Sequence, residues 1–379
     1  MTYRKISKCN ISNSRNLDLL LSLGLIPGSN LMSSITDRPG SQIFYPTDLF
    51  YCKKSSLVQL GIAVDKKILF PKEYPYTSST TKILRDNFAD LSKEVFKKFN
   101  IKKEDLILDI GSNDGNLLNN FKNKCRVLGV TPENIGKLAI KKGIPTILDY
   151  FTPSVSKNIK KKYGKSKIIT ATNVFAHIDN ISQVLKSIFD LLTGDGIFIS
   201  ESHYLISLVN QLQYDTIYHE HLRYYSLSSL KYLFKKHGME IIHAKKIKTH
   251  GGSIRVYACK KGRYKSTNSF KSLYQYEKNV FFKKNIYNFK KRITKSKLQF
   301  FELIKNIKGN NIYGISAPSR STTLINYLGL SADIVQCIVE VEGSKKIGNY
   351  LPGTDIPILD EKKLYIDQPK FALILSWHI

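Results

Sequence analysis

The sequence predicts an α/β protein whose central part is a doubly wound, Rossmann-like sheet. Strand-like runs alternate with helical stretches between residues 106 and 258, which is the pattern of strands joined by crossover helices. The buried run LILDI (106–110) also leads directly into a glycine turn and a helix start. A third block of strands near the C-terminus indicates a second, smaller α/β unit.

Changes in composition predict four segments. Residues 1–80 contain short strand-like runs and turns punctuated by prolines. Residues 81–262 hold the central α/β domain, and residues 263–308 form a lysine-rich helical connection. Residues 309–379 form the smaller α/β unit, in which the strand NNIYGI, the turn SAPSRST and the strands IVQCIVEV and FALILSW follow one another.

Length and composition exclude several protein classes. The chain has 379 residues, 42% of them hydrophobic, which is enough for two or three packed domains. Its longest apolar runs fall far short of the roughly 18 to 20 residues of a membrane helix, so no membrane span is expected. The polar N-terminus lacks a secretory signal, and the five cysteines are scattered singly. We therefore expect a cytoplasmic protein.

The formal net charge of +29 raises the question of a nucleic-acid partner, because clustered Lys and Arg bind phosphates. Here the lysines are dispersed along the whole chain, and residues 157–167 form the densest patch. Two explanations stay open: drift of an AT-rich coding sequence, and a functional basic surface. The dispersion favours the first, so a nucleic-acid partner is not expected.

The segment from Asp109 to Gly115 follows a buried strand and precedes a helix. Glycines at such a turn let the backbone approach a ligand, and a helix N-terminus favours polar or anionic groups. The spacing D-x-G-x-x-x-G differs from the dinucleotide fingerprint and resembles motif I of the class I methyltransferases, whose cofactor is S-adenosylmethionine. This resemblance places Asp109, Gly111, Asn113 and Gly115 at the cofactor; an ordinary tight turn is the alternative.

In class I methyltransferases an acidic residue at the end of the next strand binds the ribose of the cofactor. In this sequence Thr131 stands at that position, followed by Glu133 two residues later. Either Glu133 takes over the role, or the ribose is held less tightly beside Thr131. The resemblance also places Asn173 near the reacting end of the cofactor.

The segment Tyr218-His219-Glu220-His221 is the least ordinary in the chain. Two histidines and a glutamate suggest a zinc site, but three ligands on one short segment are too few for a closed one. A second interpretation is proton transfer, because His221 can act near neutral pH while Tyr218 and Glu220 orient it. The third interpretation is that these are ordinary polar residues on an exposed turn.

Several motifs resemble those of the sugar C-methyltransferases of deoxysugar biosynthesis. They are ESHYL and YDTIYHEHLRYYS within residues 201–226, followed by HGGSIRVY, YGISAPSRSTTLINY and NYLPGTDIPI. LGLIPGSN, LVQLG and LFPKEYPYTSS resemble the leading domain of the same family, so the resemblance covers nearly the entire chain. It implies a small N-terminal zinc-binding domain, a central class I methyltransferase domain and a C-terminal Rossmann-like domain. It also implies a nucleotide-linked 4-keto-6-deoxy sugar as the substrate, methylated on the carbon next to the ketone.

The resemblance gives catalytic roles to four residues. His221 is the expected base, with Tyr218 and Glu220 orienting either its ring or the sugar. His177, in NVFAHID, resembles a second active-site histidine, although a satisfied histidine at a strand end is the alternative.

Four further residues are expected to bind the substrate. Tyr74 or Tyr76 of EYPY would contact the sugar from the N-terminal domain, unless both tyrosines only pack between domains. Ser319 and Arg320, in SAPSRST, would hold the nucleotide diphosphate. A tight turn explains that segment equally well.

The family's zinc-binding cysteine pairs align with Cys9 and Ser12, and with Cys52 and Ser55. Serine hydroxyls are poor zinc ligands because they ionise only at high pH. We therefore expect that zinc is lost or weakly bound, with Cys9 and Cys52 as remnants of the site, and that packing holds the domain together.

Relatives continue beyond the position of LSWHI (375–379), so the resemblance implies a shortened C-terminal domain. Two other functions stay open: a methyltransferase of RNA or another small molecule, and a drifted, non-catalytic family member. The sequence makes no prediction of the oligomeric state.

Overall fold

The computed structural model describes residues 2–37, 42–69, 78–307 and 312–378. Over these ranges the chain forms a small antiparallel N-terminal domain, a central seven-stranded sheet flanked by helices, and a C-terminal five-stranded sheet. No helix within these ranges is long and apolar enough to cross a membrane.

The N-terminal domain is built from short antiparallel strands. Its elements are β1 (Tyr3–Lys5), β2 (Asp18–Pro27), β3 (Phe44–Cys52), β4 (Leu57–Leu60), β5 (Ile62–Val64) and the helical turn α1 (Lys66–Leu69). Strands β2, β3 and β4 pair in sequence order, and β1 pairs with β5. Buried and less buried side chains alternate along most of β3, as expected for a sheet with one covered face.

The central sheet has the order β12-β13-β10-β9-β6-β7-β8. Its strands are β6 (Leu106–Ile110), β7 (Arg126–Val130), β8 (Thr146–Ile147), β9 (Ser166–Thr172), β10 (Leu192–His203), β12 (Met239–Ile247) and β13 (Ser253–Lys260); the short β11 (Arg223–Tyr224) lies outside this sheet. Strand β13 is antiparallel to both neighbours, and the pairs from β10 to β8 are parallel.

The strand order confirms the predicted doubly wound fold. Strand β6 lies inside the sheet, and the chain builds outward from it through β7 and β8 on one side and through β9 and β10 on the other. Both β6 and β9 are buried along their whole length because helices cover both faces. In such sheets a ligand crevice opens at the carboxyl ends of the strands where the order reverses, here between β6 and β9.

Helices connect the strands of the central domain. They are α2 (Lys82–Lys98), α3 (Gly136–Lys141), α4 (Pro153–Tyr163), α5 (Ile181–Leu191), α6 (Leu205–Asn210) and α7 (Leu227–Lys236). Helix α5 shows how the sequence specifies them. The Asn180 side chain caps its first turn by accepting a hydrogen bond from the Gln183 N–H at 3.1 Å. Ile181, Leu185 and Ile188 then recur at helical spacing and are buried.

The C-terminal sheet has the order β16-β17-β15-β14-β18 and is parallel except for β16. Its elements are β14 (Ile312–Ile315), α10 (Ser319–Leu328), β15 (Val335–Glu340), β16 (Asn349–Tyr350), β17 (Pro357–Asp360), α11 (Lys362–Asp367) and β18 (Phe371–Ile374). The connection before it contains α8 (Asn268–Tyr276), a π-helical segment (Glu277–Asn285) and α9 (Phe289–Lys305).

The three domains are joined by direct contacts. Strand β11 of the central domain pairs with β4, which adds a fourth strand to the N-terminal sheet. Helix α10 of the C-terminal domain packs against β2 and against the 3₁₀ turn Tyr214–Thr216. The Thr323 hydroxyl on α10 donates a hydrogen bond to the Ile217 carbonyl at 3.0 Å. The segment from residue 214 to 224 is therefore held from both sides.

Candidate active site

A cavity of about 1550 Å³ lies where the three domains meet. Its wall includes loops that follow β6, β7, β9 and β10, the segment 218–224, residues 63–66 of the N-terminal domain, and the C-terminal loops after β14 and β15. Single-ligand pockets occupy roughly 300–1,000 Å³. This cavity can therefore hold two small molecules side by side.

The turn after β6 forms one end of the cavity. Asp109, Gly111 and Asn113 all line it, as predicted from the motif. Gly111 has φ +76°, and a Cβ there would lie 2.3 Å from the Val174 side chain. Asn113 also has a positive φ of 50°, and its side-chain oxygen accepts a hydrogen bond from the Ser78 N–H at 2.9 Å. The turn therefore depends on residues that tolerate left-handed backbone.

Two of the predicted cofactor residues do not line the cavity. Gly115 has φ +77°, and a Cβ there would meet Ala139 and Ile144, so this glycine permits close packing of the turn against α3. Thr131 is buried, and its hydroxyl donates a hydrogen bond to the Glu133 carboxylate. Glu133 does line the cavity. The acidic group at this strand end is thus supplied two residues after the expected position.

Burial raises the pKa of Asp109 to about 7. A hydrogen bond from the Thr170 hydroxyl, at 2.6 Å, opposes this rise, and the negative charge of Glu201 adds to it. The backbone N–H of Asn173, which has φ 58°, donates to the Glu201 carbonyl at 2.9 Å. Asn173 lines the cavity beside the turn that follows β6. Asp109, Asn173 and Glu201 thus form one polar group at the carboxyl ends of β6, β9 and β10.

The residues around this end fit S-adenosylmethionine. Ile135, Leu138 and Phe151 give the cavity an apolar wall on which an adenine ring can pack. Glu133 places a carboxylate next to that wall, where it can accept hydrogen bonds from ribose hydroxyls. The turn at Gly111 leaves room for the rest of the cofactor.

His221 lines the cavity in a single defined tautomer. Its Nδ1 lies 3.1 Å from the Thr216 carbonyl, which can only accept, so Nδ1 carries the hydrogen. Its Nε2 is then the basic nitrogen, 3.3 Å from the Tyr218 hydroxyl. Burial lowers the pKa of His221 well below 6.5, and the positive charge of Arg320 lowers it further. His221 is therefore neutral near pH 7.

His177 contacts the same group of residues. Its Nδ1 donates a hydrogen bond to the Glu220 carbonyl at 2.8 Å, and its ring centre lies 4.9 Å from that of His221. Burial lowers the pKa of His177 below its ordinary value. Both predicted histidines thus meet in the cavity, one from the end of β9 and one from the segment before β11.

The Glu220 carboxylate is held by the N-terminal domain. It accepts hydrogen bonds from the Ser29 hydroxyl at 2.7 Å and from the Asn30 side-chain amide at 2.9 Å. Glu220 is buried, and the positive charge of Lys346 in the C-terminal domain lies close enough to interact with it. No sequence pattern indicates these contacts, because the partners lie nearly two hundred residues away.

The zinc interpretation of segment 218–221 is wrong. The ring of His219 points to the N-terminal domain, where Nε2 lies 3.2 Å from both the Thr47 hydroxyl and the Pro46 carbonyl. His221 instead bonds the Thr216 carbonyl, so the two rings do not converge. Among the described residues no group of three or more His, Cys, Asp or Glu side chains could hold a metal ion.

Ser319 and Arg320 begin helix α10 and do not form the predicted turn. Ser319 lines the cavity. Arg320 is buried, with Nη2 donating to the His250 carbonyl at 2.8 Å and the guanidinium 5.2 Å from the centre of the Trp377 ring. Tyr74 and Tyr76 lie outside the described residues.

Three further histidines line the cavity near Arg320: His203, His250 and His378. The sequence does not predict them as site residues, although His250 opens the motif HGGSIRVY. Within it, His250 has φ 55°, which is unusual for histidine. Such a conformation cannot be read from the sequence.

The four residues aligned with the family's zinc ligands form a hydrogen-bonded group, here named the cysteine–serine cluster. The Cys9 thiol lies 3.1 Å from the Ser55 hydroxyl, and the Cys52 thiol lies 3.3 Å from the Ser12 hydroxyl. A structural zinc ion requires four thiolate or imidazole ligands. Two thiols and two hydroxyls do not fit it.

Comparison with known proteins identifies two domain families in this chain. Residues 78–244 match the methyltransferase domain family, and residues 248–379 match the C-methyltransferase C-terminal domain family. The chain is 28% identical over 382 aligned residues to the C-methyltransferase NovU of Streptomyces niveus, an alignment that covers 99% of this chain and 90% of NovU.

Solved structures of methyltransferases align with a little under half of the chain. The magnesium protoporphyrin IX methyltransferase of Synechocystis PCC 6803 with bound SAH has 12% identity and a TM-score of 0.37, over 46% of this chain and 83% of its own. An S-adenosylmethionine-dependent methyltransferase of Anabaena variabilis has 17% identity and a TM-score of 0.39, over 48% of this chain and 86% of its own.

Proposed function

Because this chain belongs to the S-adenosylmethionine-dependent C-methyltransferases, we propose that it methylates a nucleotide-linked 4-keto-6-deoxy sugar. The methyl group goes to the carbon next to the ketone, and His221 is the base. The observation that carries this proposal is the fixed tautomer of His221, which keeps a basic Nε2 in a cavity large enough for two ligands.

His221 removes the proton in this reaction. The carbonyl of the sugar makes the adjacent C–H acidic, Nε2 of His221 takes that proton, and the C–H electrons move onto the carbonyl oxygen. The Thr216 carbonyl holds Nδ1–H throughout and stabilises the ring once it is positively charged. S-adenosylmethionine supplies an electrophilic methyl group, which the deprotonated carbon accepts with release of the neutral thioether.

The neighbouring residues orient these partners. Tyr218 lies beside Nε2 and can also bond the sugar, while Glu220 is fixed by Ser29 and Asn30. His177 packs against His221 and is the second histidine at the reacting carbon.

We assign the cofactor end to Asp109, Gly111, Asn113, Glu133 and Asn173, which all line the cavity. Gly115 and Thr131 support this end from behind, one by packing and one by its bond to Glu133.

The substrate is held by residues of the C-terminal domain, and the role in sugar binding expected of Tyr74 or Tyr76 stays a prediction. Ser319 and Arg320 bind the substrate from the C-terminal side, where Lys345 also lines the cavity and suits the phosphates.

Incubation of the purified protein with S-adenosylmethionine and a panel of nucleotide 4-keto-6-deoxy sugars tests the proposal. We expect a mass gain of one methyl group on a sugar, and a loss of kcat of about 10²–10⁴-fold in His221→Ala, as is typical for removal of a general base. His237→Gln, at the end of α7 and outside the cavity, is the matched histidine control and should keep activity. Methyl transfer to RNA and to no sugar, or to no substrate at all, would contradict the proposal.

A further inference from the structure

One wall of the cavity carries buried nitrogen atoms that have no hydrogen-bond partner among the described residues. They are Nη1 of Arg320, Nδ1 of His203, Nε2 of His250 and Nδ1 of His378. We name this group the Arg320 pocket. Arg320 is only 6% exposed. Buried polar atoms in proteins almost always have a hydrogen-bond partner, so four atoms without one in the same place require an explanation.

The Arg320 pocket is assembled from four separate parts of the chain. Arg320 comes from the first turn of α10, His203 from the end of β10, His250 from the left-handed turn before β13, and His378 from the segment after β18. The His250 carbonyl fixes Nη2 of the guanidinium and leaves Nη1 for another partner. All four side chains line the cavity, so that partner can be a ligand.

Arg320 is the positive charge of this pocket. Burial, together with the charge of Arg320, lowers the pKa of His203 and His378 to about 3 and that of His250 to about 4, so the three rings are neutral. A guanidinium stays protonated in proteins. The nearby Asp215 carboxylate accepts a hydrogen bond from the Trp377 indole at 2.8 Å and interacts with Arg320 through its charge alone.

His203 gives the pocket an acceptor as well. The Gln213 side-chain amide donates to the Gly251 carbonyl at 2.6 Å, so its oxygen faces Nε2 of His203, also at 2.6 Å. Nε2 of His203 therefore carries the hydrogen, and Nδ1 is left as a lone pair. A ligand in this pocket meets one charged donor and one neutral acceptor, which matches an oxyanion with a hydroxyl group beside it.

The Arg320 pocket lies within electrostatic reach of the base. The positive charge of Arg320 lowers the pKa of His221, and the Tyr218 phenol raises the pKa of Arg320. A diphosphate would need several donors around it, whereas Arg320 has one remaining N–H pair deep in the wall. The reacting part of the substrate therefore fits the Arg320 pocket better than the diphosphate does.

We infer that Nη1 of Arg320 binds the carbonyl oxygen of the substrate and stabilises the oxyanion that forms on it. This inference rests on the proposed function and makes Arg320 a catalytic residue. When His221 takes the proton, the C–H electron pair moves toward the carbonyl and the oxygen becomes negative opposite Arg320. When the carbon accepts the methyl group, that electron pair forms the new C–C bond and the oxygen returns to a neutral ketone.

The test compares Arg320→Met and Arg320→Lys with the intact chain on the keto-sugar that wild type methylates. Exchange of the proton next to the ketone is followed by NMR in deuterated buffer with S-adenosylhomocysteine, which isolates deprotonation from methyl transfer. We expect kcat and the exchange rate to fall about 10²–10³-fold in Arg320→Met, the loss typical of a missing oxyanion donor. Arg320→Lys should recover part of both, and KM should change less than about fivefold.

A role in diphosphate binding gives a different result. Arg320→Met would then weaken binding of the free nucleoside diphosphate and raise KM, with kcat and exchange preserved, and our inference would be overturned. Unchanged exchange in Arg320→Met would overturn it as well. Arg263→Met, an exposed arginine, is the charge control and should behave as wild type. If wild type itself shows neither methyl transfer nor exchange with any keto-sugar, the proposed function fails first and the inference fails with it.

Discussion

The cysteine–serine cluster and the Arg320 pocket bury polar side chains in opposite ways. In the cluster the two thiols and two hydroxyls bond to one another, within a single domain. In the pocket, nitrogen atoms from the central and C-terminal domains stay without partners among the described residues and face a cavity. The first arrangement is complete in itself and serves the fold. The second is complete only with a ligand, which is why we connect it with catalysis.

The largest change in stability is expected from converting the cysteine–serine cluster into a metal site. The double substitution Ser12→Cys and Ser55→Cys would bring four thiols together where two thiols and two hydroxyls now meet. We expect it to bind one zinc ion per chain and to gain about 4 kcal/mol of stability at free zinc 1,000-fold above Kd. Metal analysis and thermal unfolding with and without a chelator measure this.

The single substitution Ser12→Cys is the control, because three thiols leave the site incomplete. The wild-type protein should contain no stoichiometric zinc, and chelators should leave its unfolding temperature unchanged. Stoichiometric zinc in the wild type would overturn our account of the cluster.

A smaller effect is expected where the N-terminal domain holds the active site. Ser29→Ala with Asn30→Ala removes two side-chain donors of the buried Glu220 carboxylate, at a cost of about 1–3 kcal/mol for each lost partner. Urea unfolding should show the loss, and turnover should fall with it. Adding Glu220→Gln should recover part of the stability, because a neutral amide is less costly to bury. Ser22→Ala, on an exposed position of β2, is the control; equal stability of all variants would refute this role.

The smallest effect concerns pH. The base must be neutral to act, so kcat/KM falls as the pH drops through the pKa of His221. Burial places that pKa well below 6.5, and the acidic limb of the pH profile should therefore lie below pH 6.5. Tyr218→Phe removes the hydroxyl beside Nε2 and should move the limb by less than about one pH unit. A limb at or above pH 6.5 would show that the base is not His221 in this environment.

Much of the central fold was predictable because it is encoded locally. The predicted run LILDI coincides with β6 residue for residue. Strand β12 has the mixed sequence MEIIHAKKI, which has no strong period, so the sequence does not predict it. The domain matches confirm the class I methyltransferase fold and the cofactor predicted from the turn after β6.

The sequence by itself determined the doubly wound class of the central domain, the glycine turn after β6 and the short segment that carries His221. Only the tertiary structure decided which side chains meet. It directed Gly115 toward α3 and joined the Thr131 hydroxyl to the Glu133 carboxylate. It also brought Ser29 and Asn30 to Glu220, and gathered His203, His250 and His378 around Arg320. The physical reason is that backbone preference acts over a few neighbouring residues, whereas a cavity is closed by domains that pack across the whole length of the chain.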